Sequence, residues 1–321
     1  SGLLLSASRN NRLNRNKSRQ NNMSPKSVSL DKLRKQIDDI DNQLLDLLMQ
    51  RTDVVEQVGV AKRQDADATD LSGSLNMRPD REARLLRRLL DRHDGRLPEV
   101  VVARIWREMI SAFTLLQGPL KVAVCAPEKS VGYWDLSRMQ FGSATPMTLH
   151  RSQGVVLRAV SEGDGTVGVL PLPQDGEDDP WWSHLAVDTE NVPRVIARLP
   201  FVQDRSAWFE GMGALALAPI DQADSGDDIS LIVIAADPQI SRARLHREMK
   251  AAGFTGRIIS AVGKGGDHAE WLHLVEVDGY LAPKDKRLSG FIKACDGDVE
   301  RVVRIGGYAV PVRIGEEEQG S

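Results

Sequence analysis

The sequence predicts a multidomain chain: an all-α segment, then a reduced α/β segment, then a small sheet domain of βαββαβ order. Three observations predict it. Apolar residues recur at steps of three and four over residues 30–61, the period of one long helix. From Lys121 the period shifts to short, wholly apolar runs separated by turn residues, the mark of buried strands. Beyond Asp228 the runs alternate as strand, helix, strand, strand, helix, strand, which implies a split βαβ sheet. Domain limits are expected at 29–118, 119–227 and 228–314, with tails at 1–28 and 315–321.

The balance of 41% hydrophobic and 27% charged residues over 321 positions suits a soluble globular chain of two or three domains. A net charge of −3 argues against a general nucleic-acid binder, and no apolar run is long enough to span a membrane. Cys125 and Cys295 stand far apart and form neither a disulfide framework nor a CxxC motif, so a reducing cytoplasm is expected. His246, His268 and His273 lack metal-ligand spacing and are read as surface or sheet residues; no cofactor or metal is implied.

Residues 1–28 hold six Lys and Arg and no acid among many Ser and Asn, which reads as a disordered tail, with an organellar transit peptide as the alternative. Met23 is read as the natural start. Ser29 is an N-cap candidate for the long helix, with Asp31 in its first turn. Residues 64–77 break the period and read as a loop. Arg78-Pro79 opens a second helix whose apolar face is Leu85, Leu86, Leu89 and Leu90, ending near Gly95. Pro98 opens a third, with Val101, Ile105, Met109, Phe113 and Leu116 inward, ending at Gln117-Gly118-Pro119. KVAVCAP, TVGVLPLP, VPRVIARLPFV and GALALAPI read as strands, and WDLSRMQFG and SQGVVLRAVSEG as helices. Trp134, Trp181 and Trp182 are read as packing beneath a loop rather than as a ligand platform.

The first helix is unusual in its charges. Its seam runs Leu30, Leu33, Ile37, Ile40, Leu44, Leu47, Arg51, Val54, Val58, Ala61, and a parallel seven-residue series holds Arg34, Asp41, Leu48, Val55 and Lys62. Three cations therefore lie on or against a surface that is otherwise apolar, and burying them is costly without an anion. Two readings are open: Arg51 as a polar registry device in a coiled coil with solvated Arg34 and Lys62, or the three as an anion site. Arg51 and Lys62 are eleven residues apart and share a face, separated by roughly 16 Å of helix rise. Arg34 is about 25 Å from Arg51 along the axis and rotated away. An antiparallel partner helix would carry it to the other subunit's pocket, so the anion reading implies a two-fold dimer with shared sites.

Residues 30–117 resemble the all-helical chorismate mutase family, through L-x-x-L-R-x-x-I-D-x-I-D-x-x-L-L-x-L-L-x-x-R over residues 30–51, then Lys62, then R-P-x-R-E at 78–82. The resemblance implies an interlaced homodimer that converts chorismate to prephenate without a cofactor. It implies that Arg51 and the partner subunit's Arg34 bind the two carboxylates. Lys62 and Gln117 would donate to the ether oxygen and Glu82 would accept from the ring hydroxyl. Arg78 would present its backbone to the substrate, with Arg81 beside it. Phe113 stands where some members carry a small polar residue, so that contact would fall to Ser111 or Thr114.

The remainder resembles the dehydratase and ACT parts of the bifunctional chorismate mutase–prephenate dehydratase, in degenerate form. KVAVCAPEKS replaces the strand and G-P-x-G turn, VGVLPLPQD replaces the strand ending in E-N-S, and GALALAPI holds neither the Thr nor the Arg of the family's Thr-Arg-Phe. No dehydratase activity and no phenylalanine binding are expected. A noncatalytic chorismate-binding partner of another enzyme and an isochorismate pyruvate lyase are the alternatives to a mutase.

Overall fold

The computed structural model describes residues 29–65, 75–127, 132–163, 166–187, 192–204, 212–264 and 270–315, with residues 62, 63, 65 and 264 described by their backbone alone. The tail expected over 1–28, most of the loop over 64–77, and His268 lie outside these residues. The chain divides into two units, residues 1–53 and 54–321.

Helix α1 (Leu30–Asp65) is a single 36-residue helix. The Ser29 hydroxyl accepts from the Lys32 backbone N–H at 3.3 Å, so the expected cap is formed. Its seam is uncovered in the single chain: Ile37 is 57% and Leu47 60% exposed. Helix α2 (Pro79–Arg92) begins where proline at the first turn predicts, and α3 (Glu99–Gln117) follows Pro98.

The inward face of α3 differs from the expected one. Val102, Ala103, Arg107, Ser111, Phe113 and Thr114 are buried, whereas Ile105 and Leu116 are exposed. Only Phe113 is common to both sets. Hydropathy selects the more apolar stripe, but the neighbour that α3 meets is held through polar groups. Glu108 accepts from the Ser143 backbone N–H, and a Cβ on Gly142 would stand 2.8 Å from the Ser111 Cβ.

The α/β part comprises β1 (Lys121–Cys125), α4 (Gly132–Phe141), β2 (Met147–His150), α5 (Gln153–Glu162), β3 (Thr166–Pro171), β4 (Arg194–Leu199), β5 (Val202–Asp204) and β6 (Ala214–Ala218). A 3-10 turn, Trp181–Leu185, precedes β4. Strand β2 escaped the sequence reading because it alternates weakly and two of its four residues are exposed. Gly168 lets α5 lie on β3, since a Cβ there would sit 2.7 Å from Val160 and 2.9 Å from Val156. Both tryptophans of the 3-10 turn are fully buried, and Trp181 Nε1 donates to the Pro171 carbonyl at 3.1 Å, so the packing reading holds.

Next come β7 (Asp228–Ala236), α6 (Arg242–Ala251), β8 (Gly256–Lys264), β9 (Glu270–Asp278), α7 (Lys286–Ala294), β10 (Val299–Ala309) and the short β11 (Val312–Ile314). The order β10-β7-β9-β8, antiparallel throughout, is that of the expected split βαβ sheet. One face packs Ile232, Ile234, Val275 and Val277 on α6 and α7; the other packs Leu231, Val233, Leu272 and Leu274 toward the tryptophans.

The two stretches read as separate sheets form one mixed sheet of nine strands, β2-β1-β3-β6-β4-β10-β7-β9-β8. They meet where β10 lies parallel to β4, Gly306 opposite Val195. Gly306 has φ +119°, and a Cβ on it would stand 2.2 Å from the Val195 carbonyl oxygen. Arg194 adds a bond from its guanidinium to the Arg304 carbonyl at 2.8 Å. Gly306→Val should therefore cost at least about 2 kcal/mol, read as a shift of the urea midpoint.

His273 on β9 is buried between Ile234 and Ala261 of the flanking strands, and neither ring nitrogen has a hydrogen-bond partner among the described residues. Burial first, and then the Arg242 charge, push its pKa down to about 4 from 6.5. The fold accepts the neutral imidazole and the unfolded chain the protonated one. The contribution is thus fully present above pH 6.5 and lost as pH falls toward 4, amounting to roughly 3 kcal/mol. His273→Leu should remove that part of the acid sensitivity, measured as the difference between urea midpoints of variant and parent at neutral and mildly acid pH.

Candidate active site

Every residue singled out for chorismate lies on α1, α2 or α3, save Arg78, the N-cap residue just before α2. On α1, Arg34 is exposed, its guanidinium 3.5 Å from Asp31 one turn earlier. Arg51 is half-buried, and that burial lowers the pKa of its guanidinium. Lys62 lies on the last turns of the helix, and its side chain is outside the described residues.

The start of α2 is organised by a residue the sequence reading passed over. Asp80 is almost wholly buried and takes a two-pronged bond from Arg78, Nε at 3.1 Å and Nη2 at 3.2 Å, with Arg84 at 3.6 Å on the other side. Arg78, whose backbone is the N-cap, is thereby bonded to the first turn of its own helix. Arg81 points outward and is exposed. Glu82 is largely buried and accepts from Arg107 of α3 at 2.8 Å.

Arg107 is the second residue that was missed. Its side chain is 8% exposed; burial lowers the guanidinium pKa, and the charge and hydrogen bond of Glu82 oppose that shift. A signal existed in Ala103, Arg107, Ser111 and Thr114, small or polar residues at steps of four, four and three, but the apolar stripe beside them outweighed it.

At the other end of α3, the Gln117 side-chain amide donates to the Phe113 carbonyl at 3.1 Å, and Asn76 donates to the Gln117 carbonyl at 3.0 Å. Phe113 is buried, as are Ser111 and Thr114, and the Thr114 hydroxyl is used on the Ile110 carbonyl at 2.9 Å. The structure thus brings Glu82 to Arg107, Arg78 to Asp80 and Gln117 to its own helix end.

In the α/β part, all five residues of β6 are buried Ala or Leu, so no polar side chain faces out of that strand. At the end of β1, Cys125 and Tyr133 are pushed up chiefly by burial, as is Glu177. Both cysteines are free. No metal-holding group of His, Cys, Asp and Glu occurs among the described residues, and no helix among them is long and apolar enough to cross a membrane.

Residues 33–118 match the family described as chorismate mutase type II. The bifunctional chorismate mutase/prephenate dehydratase of Pseudomonas aeruginosa is 32% identical over 145 residues, which are 45% of this chain and 39% of that protein. The protein of the same description from Stutzerimonas stutzeri is 29% identical over the same shares. The match thus spans about two fifths of the length of these relatives. Among solved structures, the prephenate dehydratase of Streptococcus mutans superposes at a TM-score of 0.41 and 12% identity, covering 61% of this chain and 100% of that one. Every residue singled out for chorismate falls within the segment, residues 33–118, that matches the chorismate mutase type II family.

Proposed function

We propose that the protein rearranges chorismate to prephenate, working as a homodimer whose two sites each draw residues from both subunits. The observation that carries this is the family match over residues 33–118, a span that holds the full set Arg34, Arg51, Lys62, Arg78, Arg81, Glu82 and Gln117.

The chemistry is an intramolecular exchange of a C–O for a C–C bond, so neither nucleophile nor general base is required. What lowers the barrier is geometry and charge. Arg51 and Arg34 of the partner subunit hold the carboxylates, which folds the enolpyruvyl arm over the ring. Lys62 donates to the ether oxygen as negative charge grows there, an interaction stronger in the transition state than in the bound substrate. Gln117 joins Lys62 by exchanging its bond to the Phe113 carbonyl for the ether oxygen. Glu82 accepts from the ring hydroxyl, and Arg78 and Arg81 flank it. The uncovered apolar seam of α1, with Ile37 and Leu47 at its centre, is the surface on which the partner subunit packs.

The C-terminal region, similar to a dehydratase and an ACT module in degenerate form, does not catalyse. Loss of a prephenate hydroxyl needs a proton donor and a cation for the carboxylates, and β6 offers only Ala and Leu. A second reading, a protein that binds chorismate without turnover, is favoured by one observation: Glu82 and Gln117 are already engaged, with Arg107 and the Phe113 carbonyl.

Incubation with chorismate, with prephenate and phenylpyruvate quantified together, separates these readings. Prephenate should accumulate and phenylpyruvate should not; binding without loss of chorismate would support the second reading, and phenylpyruvate would restore a dehydratase. Lys62→Ala should lose about a hundredfold in kcat. Arg34→Ala and Arg51→Ala should each be nearly inactive, yet subunits of the two mixed after dissociation should regain about a quarter of the parent activity, because half the dimers are mixed and each has one intact site. No regain would exclude shared sites.

A further inference from the structure

The Glu82–Arg107 pair does not stand on the helical domain alone. The Arg107 guanidinium lies over the Phe201 ring, 5.3 Å from its centroid, and Phe201 belongs to the turn between β4 and β5. Arg87 of α2 lies over the same ring at 5.7 Å. Phe201 is buried with Ala83 and Leu86, two of the inward residues of α2, in one small apolar cluster. Arg87 also donates to the carbonyls of Ser225 at 3.1 Å, Asp227 at 2.7 Å and Val310 at 2.9 Å. The cleft beside the pair is walled on its far side by Gln140 of α4 and Arg198 of β4. Thus the helix bearing Arg78 and Glu82 is seated on the α/β region through an aromatic ring and a fork of charged hydrogen bonds.

We propose that Arg107 is a positioning residue for Glu82 in the mutase reaction, and that Phe201 of the α/β region holds Arg107 in place. This rests on the role given to Glu82 above. The C-terminal region, inert in its own right, then forms part of the support of the mutase site. A Glu side chain has three rotatable bonds, and a carboxylate that is to meet one hydroxyl gains from having them locked before substrate arrives. A buried Arg with one carboxylate partner supplies that lock, and the ring beneath the guanidinium keeps the Arg from turning away. Arg107 binds one carboxylate oxygen through one nitrogen, which leaves the second oxygen of Glu82 for the substrate.

Steady-state mutase kinetics on the full-length chain test this. Phe201→Ala should lower kcat roughly tenfold while KM for chorismate stays within about twofold, since no substrate contact is removed. Made in a Glu82→Gln chain, the same change should lower kcat less than about twofold further, because the carboxylate it acts through is gone. Arg107→Gln should follow the same pattern, and Phe201→Trp, which keeps a ring beneath the guanidinium, should restore most of kcat. Losses that multiply in the double variants, full kcat in Phe201→Ala, or a loss matched by the unfolded fraction in circular dichroism would each overturn the proposal. A parent chain with no turnover would instead sink the mutase reading, and this one with it.

Discussion

A charged pair removed from water constrains the rest of this structure. Glu82 and Arg107 are 2.8 Å apart with both side chains largely buried, and such a pair survives only where its geometry is good and its surroundings do not move. Helices α2 and α3 alone cannot guarantee that. The ring of Phe201, the linker carbonyls bound by Arg87 and the close contact of Gly142 with Ser111 come from beyond residue 118, and together they immobilise the α2–α3 hairpin. The burial of one ion pair therefore goes with the seating of α2 and α3 on the sheet.

The same division of labour suits the proposed reaction. A pericyclic step asks for fixed charges in fixed places and for no group that changes protonation. The backbone at Arg78 is fixed in advance by the bond of its side chain to Asp80, and a group ordered before substrate binds loses less entropy on binding than a free one. The sheet carries almost no polar chemistry of its own at β6, yet it is large, continuous and sealed at Gly306, so it serves as a stiff base.

Much of this was legible in the residues. The heptad seam of α1, the Arg78-Pro79 start of α2, the Pro98 start of α3 and the largely apolar runs of β1, β3, β6 and β7 each announce themselves by local period or by a residue with one backbone role. The candidate cations were visible for the same reason: a charge on an apolar stripe is out of place. What escaped depended on partners distant in sequence. Nothing near Arg107 says that a Glu twenty-five positions earlier and a Phe in the β4–β5 turn will meet it. Strand β2 exists because β1 offers it a free edge at Val122–Cys125, not because MTLH prefers to be extended.

By itself the sequence determined most of the elements in their order and the split βαβ arrangement of β7 to β10, which follow from period and spacing along one segment, while the motif of residues 30–51 and 78–82 carried the resemblance to a family. The tertiary structure alone decided which face of α3 turns inward, that the two sheets join as one, that Asp80 anchors Arg78 and that Glu82 is held by Arg107. These outcomes depend on which side chains meet across long separations in the chain. Local hydropathy does not encode such meetings, because a buried polar pair is stable only when its partner is present.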